Sequence, residues 1–289
     1  MRIVRTVEEL RALLKPERLA ERTIGLVPTM GAFHAGHRSL MERAVVANDV
    51  AVVSLFVNPT QFGPSEDLGA YPRDEARDAE IAAAAGVDLL FAPPVEEVYP
   101  DGFATTVRVG GVSEPLEGAH RPGHFDGVAT VVAKLLNMVG PDVAYFGQKD
   151  AQQALVIRRL VRDLNIPARI EICPIVRERD GLAMSSRNVY LGAEDRARAV
   201  ALRRALTAAE QAVAAGERDA AAVSAIARTA LAQHAVEPEY VALVGADTLA
   251  PIERIDGEDV LLAVAARVGP ARLIDNVILS TTDGAPQTA

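Results

Sequence analysis

One cysteine, Cys173, and no tryptophan occur in a chain of 289 residues. A single thiol allows no intrachain disulfide and no thiolate cage for zinc, and it places the chain most simply in a reducing cytoplasm. Long apolar runs are missing as well. No stretch reaches the roughly 18 residues that a membrane span needs, and Ala-rich pieces such as "AEIAAAAG" read as helix formers. The N-terminal "MRIVRTVEELRALL" carries charges too often for a signal peptide. Positive charge is in deficit: 30 Lys and Arg against 39 Asp and Glu give a net −9. That balance speaks against a general nucleic-acid binder and leaves room for a local basic pocket. What is abundant is apolar bulk, 49% of residues, enough for one large core or two domains.

The apolar residues come in two rhythms. Up to about residue 175, buried-strand runs ("TIGLVP", "DVAVVSLFV", "VDLLFAP", "DVAYFG", "ARIEICPIV") alternate with helical patterns ("HRSLMERAVVAN", "RDEARDAEIAAAAG", "DGVATVVAKLLNMV", "DAQQALVIRRLVRDLN"). This alternation predicts an α/β fold: a parallel sheet with helices on both faces and ligands bound beyond the carboxyl ends of its strands. The tail changes rhythm. Two long amphipathic helices, "AEDRARAVALRRALTAAEQAVAAG" and "RDAAAVSAIARTALAQHA", precede three strands, "EYVALVGA", "DVLLAVAARVG" and "ARLIDNVIL". A smaller C-terminal α+β domain is expected, with the boundary in the polar stretch "IVRERDGLAMSSRN". The final "TTDGAPQTA" is expected to fray.

Four of the five histidines pair up in Gly-containing loops: His34 and His37 in "HAGH", His120 and His124 in "HRPGH". Taken singly, each reads as a surface or capping residue. Zinc is a second reading, though "HAGH" lacks the helical His-Glu-x-x-His spacing. Phosphate is a third. "VPTMGAFHAGHRSL" runs from a strand end into a helix, whose first amides and partial positive charge suit an anion. Gly31 and Gly36 would let a phosphate approach the backbone, and the imidazoles would add N–H donors. The loop is neither a P-loop nor a Gly-x-Gly-x-x-Gly dinucleotide turn.

Three further stretches carry candidates. In "YFGQKDAQQ", Lys149 taken singly reads as a solvated charge, but its place after a strand end suits a phosphate, while Asp150 reads as a helix N-cap. In "GLAMSSRN", two hydroxyls and a guanidinium suit a phosphate clamp, although an ordinary polar turn is as good a reading. Ser185 lies in no Gly-x-Ser-x-Gly elbow, so it does not read as a nucleophile. In "LFVNPTQFGPSEDLGAYPRD", Gln61 projects from a loop. With Gln153, it offers a neutral amide to a hydroxyl-rich substrate. A glutamine taken singly is most often solvent-exposed.

Together these stretches resemble one family. "PTMGAFHAGH" is similar to the His-x-Gly-His signature of the nucleotidylyltransferase superfamily, and "AMSSRN" to its mobile Lys-Met-Ser-Lys-Ser loop. In their order and spacing, "FVNPTQF", "RPGHFDGV", "YFGQKDAQQ" and "DGLAMSSRN" resemble the pantothenate synthetase (pantoate–β-alanine ligase) family from about residue 3 to about 280. The resemblance implies a Rossmann-like ATP- and pantoate-binding domain over 1–175 and a smaller α+β lid over 176–289. It implies a homodimeric, cytoplasmic enzyme that uses ATP with Mg²⁺, pantoate and β-alanine, and neither nucleic acid nor membrane.

The same resemblance assigns residues. ATP would meet Met30, Gly31, Ala32, Phe33, His34, Ala35, Gly36 and His37, then Gly147, Gln148, Lys149 and Asp150, and finally Val176, Met184, Ser185, Ser186 and Arg187. Among these, His34, His37, Lys149, Ser185, Ser186 and Arg187 would be catalytic. Gln61 and Gln153 would bind pantoate, and Gln61 β-alanine as well. No magnesium ligand is identified. Arg187 stands where the superfamily loop has lysine, which keeps the charge. Rival readings are a nucleotidylyltransferase making a dinucleotide, a class I tRNA synthetase, which the acidic charge and missing length disfavour, and a non-catalytic nucleotide-binding regulator.

Overall fold

The computed structural model describes residues 1–64 and 66–280, so the fraying expected of "TTDGAPQTA" falls outside the described residues. The chain divides into two compact units, Met1–Val176 and Arg177–Ala289. The first unit holds six strands, β1 (Arg2–Val4), β2 (Ile24–Thr29), β3 (Val50–Leu55), β4 (Leu89–Phe91), β5 (Val143–Gly147) and β6 (Arg169–Cys173). All pair in parallel, in the order β1-β4-β3-β2-β5-β6. Val, Ile, Leu and Ala fill β2 and β3, and almost every side chain of both is buried. That is the pattern of strands covered on both faces. The edge strand β1 is too short to stand out from the charged residues around it.

The first unit's helices are α1 (Val7–Leu19), α2 (Ala35–Ala47), α3 (Glu75–Ala84), α4 (Val95–Val98), α5 (Glu117–His120), α6 (His124–Val139) and α7 (Ala151–Asp163). Side-chain oxygens of Thr6 and Asp74 cap α1 and α3 by accepting the amides of Glu9 and Arg77. Helix α2 packs with α3, and α6 with α1 and α7. Under α2 and α3, Val27, Met41, Val53, Leu90 and Tyr145 form one core cluster. Helix α6 is apolar nearly all round and is buried along most of its length.

The second unit contains α8 (Ala193–Ala199), α9 (Ala201–Ala214), α10 (Ala220–Ala232) and the strands β7 (Pro238–Gly245), β8 (Val260–Val268) and β9 (Ala271–Leu279). The three strands form an antiparallel sheet in chain order. The single long helix expected from "AEDRARAVALRRALTAAEQAVAAG" is divided at Val200. That residue keeps φ −61° and ψ −19°, so the division is a local tightening of the turn and not a reversal of the chain. Leu202, Leu206, Val223, Leu231, Leu262 and Val264 make this unit's own core.

Candidate active site

Strand order marks one candidate site in the first unit. From β2 the chain proceeds through β3 to β4 on one side, and later adds β5 and β6 on the other. The switch point lies between β2 and β5, where ligands bind beyond the carboxyl ends of open α/β sheets. Three adjacent strands, β3, β2 and β5, therefore present at one edge the stretches that follow them: "FVNPTQF", "MGAFHAGH" and "QKDAQQ".

The loop after β2 is wound tightly. Gly31 has φ +87° and Ala32 φ +52°, two successive left-handed residues. Such backbone is costly for alanine and persists only when its surroundings hold it. They do. Asp78, on α3, accepts the Ala32 amide at 2.8 Å and the Phe33 amide at 2.7 Å. A Cβ at Gly31 would stand 2.6 Å from Leu55 Cδ1 and 2.8 Å from Asp78 Oδ2. The space expected at Gly31 for a phosphate is thus filled, on that side, by protein. Glycine is required at position 31 by its φ and by this close contact. Asp78 is only 2% exposed, and burial raises its carboxyl pKa, with the two amide bonds opposing the rise.

Past this turn, His34 caps α2. Its Nδ1 accepts the Gly36 amide at 3.1 Å, and His37 Nδ1 accepts the His34 amide at 3.4 Å. The rings stack with centroids 4.1 Å apart. A ring whose Nδ1 accepts a hydrogen bond is neutral and carries its proton on Nε2. These partners therefore assign both imidazoles as Nε2–H donors directed away from their own backbone. Burial, then the neighbouring His34 and Lys149, push His37 down to about 3. It is neutral across physiological pH, a hydrogen-bond donor rather than a cation.

Lys149 stands in a 3-10 turn, Gln148–Asp150, between β5 and α7, and its Nζ lies 3.5 Å from Asp150 Oδ1. Asp150 occupies the N-cap position of α7, as expected, but makes no side-chain cap bond there. Nothing lies within 4 Å of a Cβ built at Gly147, so the strand end is open there.

After β3, Gln61 ends the 3-10 turn Pro59–Gln61 and is 8% exposed; the expectation that it lies in solvent fails. Its Oε1 accepts a hydrogen bond from Asn58 Nδ2 at 3.1 Å. Helix α6 fixes the main chain around it. His124 Nδ1 meets the Gln61 carbonyl at 2.9 Å, and its Nε2 lies 3.0 Å from Arg121 Nη1. The carbonyl must accept and the guanidinium must donate, so this ring is also neutral, here as the Nδ1–H tautomer. Burial and Arg121 hold His124 at about 4. Gly127 allows the close approach: a Cβ there would stand 2.4 Å from the Thr60 carbonyl oxygen. Arg121 is paired with Glu66 through both of its carboxylate oxygens.

Sequence reasoning missed Asn58, Asp78 and the bracing role of His124. A signal for Asp78 existed, since it shares a helical face with Ala82, four residues on and fully buried. Gln152 is a third omission. It is 5% exposed, accepts the Glu117 amide at 3.0 Å and donates to the Val112 and Pro115 carbonyls, so it ties down the segment before α6. Its neighbour Gln153 is half-buried on the first turn of α7. His120 is exposed. Cys173 is buried, its thiol pushed up to about 11 by desolvation, which leaves no thiolate nucleophile at neutral pH. Among the described residues, no group of three His, Cys, Asp or Glu converges to hold a metal.

In the second unit, "GLAMSSRN" stands on a staked hairpin. Arg177 pairs with Asp275 on β9 at 2.6 and 3.0 Å, and Arg177 bridges Ala183 across the turn. Asn188 Nδ2 donates to Glu178 Oε1 and to the Ala183 carbonyl, and Arg196 grips both Glu178 and Asp180. Ser185 caps the short 3-10 helix Ser186–Tyr190 by accepting the Arg187 amide. Met184, Ser185, Ser186 and Arg187 are partly exposed on this support.

The pantoate–β-alanine ligase family matches residues 2–278. The chain belongs to the pantoate–β-alanine ligase family. Curated relatives agree. A pantothenate synthetase of Herpetosiphon aurantiacus is 54% identical over 96% of this chain and 100% of its own, and one of Moorella thermoacetica is 55% identical over 98% and 100%. The crystal structure of the pantothenate synthetase of Thermus thermophilus superposes with a TM-score of 0.90 at 51% identity, over 96% of this chain and 99% of that one. The pantoate–β-alanine ligase of Francisella tularensis, crystallised with beta-gamma ATP and β-alanine, gives 0.80 at 33% identity, over 96% and 97%. The parallel α/β sheet and smaller α+β domain expected from the two rhythms of the sequence are thus the fold of this family, with β1 added as a sixth strand and the three tail strands antiparallel.

Proposed function

We propose that the chain condenses pantoate with β-alanine, using ATP, through a pantoyl adenylate, and that it serves the synthesis of pantothenate. The observation that carries this reading is the convergence of "MGAFHAGH", "QKDAQQ" and "FVNPTQF" at the carboxyl ends of three adjacent strands in a chain matched by this family over almost its whole length. In the first step, a carboxylate oxygen of pantoate bonds to the α-phosphorus of ATP and pyrophosphate leaves. A carboxylate is already anionic at neutral pH, so no general base is needed. The demand is for donors around the phosphates, and the Nε2–H groups of His34 and His37 with the Lys149 ammonium supply them. In the second step, the neutral amine of β-alanine bonds to the acyl carbon, the acyl–phosphate C–O bond breaks so that AMP leaves, and the nitrogen gives its extra proton to solvent. No covalent link to the enzyme forms in either step.

Met30–His37 and Gly147–Asp150 are assigned to ATP. Gln61, held by Asn58 and α6, is assigned to pantoate and β-alanine, and Gln153 to pantoate. Roles for Val176, Met184, Ser185, Ser186 and Arg187 toward ATP rest on the resemblance of their stretch alone. Magnesium enters with the nucleotide. Mg²⁺ commonly rests on phosphate oxygens and water with one or two carboxylates, so the missing three-residue cage is compatible with it, and it neutralises charge on the triphosphate when bound. A homodimer and a cytoplasmic location are proposed on the family resemblance; no helix among the described residues is long and apolar enough to cross a membrane. The test is to mix the protein with ATP, Mg²⁺, pantoate and β-alanine and to measure AMP with each component omitted in turn. AMP that forms without pantoate, or none in the full mixture, overturns the proposal.

A further inference from the structure

Asp78 is a carboxylate with an unusual address. Aspartate is almost never fully buried without a partner, yet this one sits 2% exposed in the first half of α3. Its two oxygens accept main-chain amides, one from Ala32 and one from Phe33. A relaxed loop would have no need of such a pair of bonds. This loop is not relaxed: Gly31 and Ala32 both have positive φ, and the next residue but one after Ala32 is His34. The amides that bind Asp78 are turned into the protein, so Ala32 and Phe33 do not offer those N–H groups to a nucleotide. What their commitment does is set where the chain enters α2, and thereby where the stacked His34 and His37 rings stand. Each of those rings is bonded through Nδ1 to the backbone of this same turn, so the rings follow the turn wherever it is held.

We propose that Asp78 is a positioning residue of the reaction, which acts through the Ala32 and Phe33 amides to hold the two imidazoles in register with the phosphates. The proposal rests on the ligase reading above, because it assigns the imidazoles to ATP. Asp78 touches neither substrate nor the reacting atoms. Its effect belongs in the rate of adenylate formation and not in pantoate affinity, since Gln61 is supported separately from α6. A displacement of about 1 Å in a group that aligns reacting atoms costs on the order of 10²-fold in rate.

The test uses Asp78→Asn, which keeps the shape but sets an NH₂ group against one of the two amides. The first half-reaction is read as pantoate-dependent exchange of labelled pyrophosphate into ATP, without β-alanine. The expected result is a fall in kcat of about 10²-fold per folded molecule with the KM for pantoate within about twofold. A second measurement is the ¹⁵N-histidine spectrum. The wild type should hold both rings as single Nε2–H tautomers, and the variant should mix tautomers at one or both. If Asp78→Asn does not fold, Asp78→Glu, which keeps the charge and moves the oxygens by one methylene, is measured in its place with the same expectation. Wild-type kcat and unmixed tautomers in a folded variant, with only a lowered Tm, would overturn the proposal and leave Asp78 a purely structural residue. Absence of exchange in the wild type would instead defeat the ligase reading, and the tautomer spectra would still decide whether Asp78 orders the loop.

Discussion

In the proposed reaction, Lys149 and His37 divide the electrostatic task. The two follow neighbouring strands at the switch point, and burial first, then His34 and Lys149, depress the basicity of His37, so this imidazole offers a neutral N–H. Lys149→Ala should therefore slow adenylate formation by about 10²-fold or more, the loss seen when one preorganised donor is removed from developing charge. Rapid-quench measurement of the first turnover checks this; a folded variant that forms adenylate at the normal rate would remove Lys149 from the mechanism. His37 also ties stability to pH. Its folded value of about 3 lies below the ordinary 6.5, so between those values the unfolded chain binds the extra proton. The stability this ring contributes is complete above pH 6.5 and is lost as pH falls toward 3. Urea unfolding of the wild type should thus weaken more steeply on acidification than that of His37→Gln, by up to about tenfold in the unfolding constant per pH unit within that window. Parallel pH curves for the two proteins would contradict it.

At the scale of elements, α6 does for the proposed acid site what α3 does for the proposed nucleotide loop: a helix grips the main chain of a loop. The contact at Gly127 is the tightest point of this arrangement, with its absent Cβ facing the carbonyl of Thr60. Gly127→Ala must push the Pro59–Gln61 turn outward. Steady-state kinetics should show the KM for pantoate raised about tenfold or more with the KM for ATP nearly unchanged; equal losses for both substrates would indicate a general folding defect. Elements also differ in how plainly a sequence discloses them. The strands β2, β3 and β5 were legible because buried parallel strands read as unbroken apolar runs, and the loops after them because Gly, His and Lys at strand ends are chemically conspicuous. The bracing residues were not. Asp78 reads as one more charge on an amphipathic helix, and its partners lie 45 and 46 residues upstream. Gln152 and Gln153 are adjacent and alike in type, and only the fold separates the buried one that ties down backbone from the other. Strand β1 is three residues long and pairs at an edge, too short for any periodicity to register.

For the whole molecule, the acidic net charge of −9 and the local choice of donors fit together. An anionic triphosphate and an anionic acid are both to be held by a chain of like sign. Attraction must therefore come from a few groups at one edge of one sheet and not from the general field of the protein. The central claim is about which phosphorus those groups serve. A γ-phosphoryl transfer would want a P-loop around the β- and γ-phosphates, and the loop after β2 is not one. The stacked Nε2–H donors of His34 and His37 are assigned instead to transfer at the α-phosphorus. The most direct test is to supply pantoate labelled with ¹⁸O in its carboxylate, with ATP, Mg²⁺ and β-alanine, and to weigh the products. Attack on the α-phosphorus followed by acyl transfer to the amine must deliver one labelled oxygen to AMP and none to pyrophosphate. Label in inorganic phosphate, with ADP as the nucleotide product, would contradict the account.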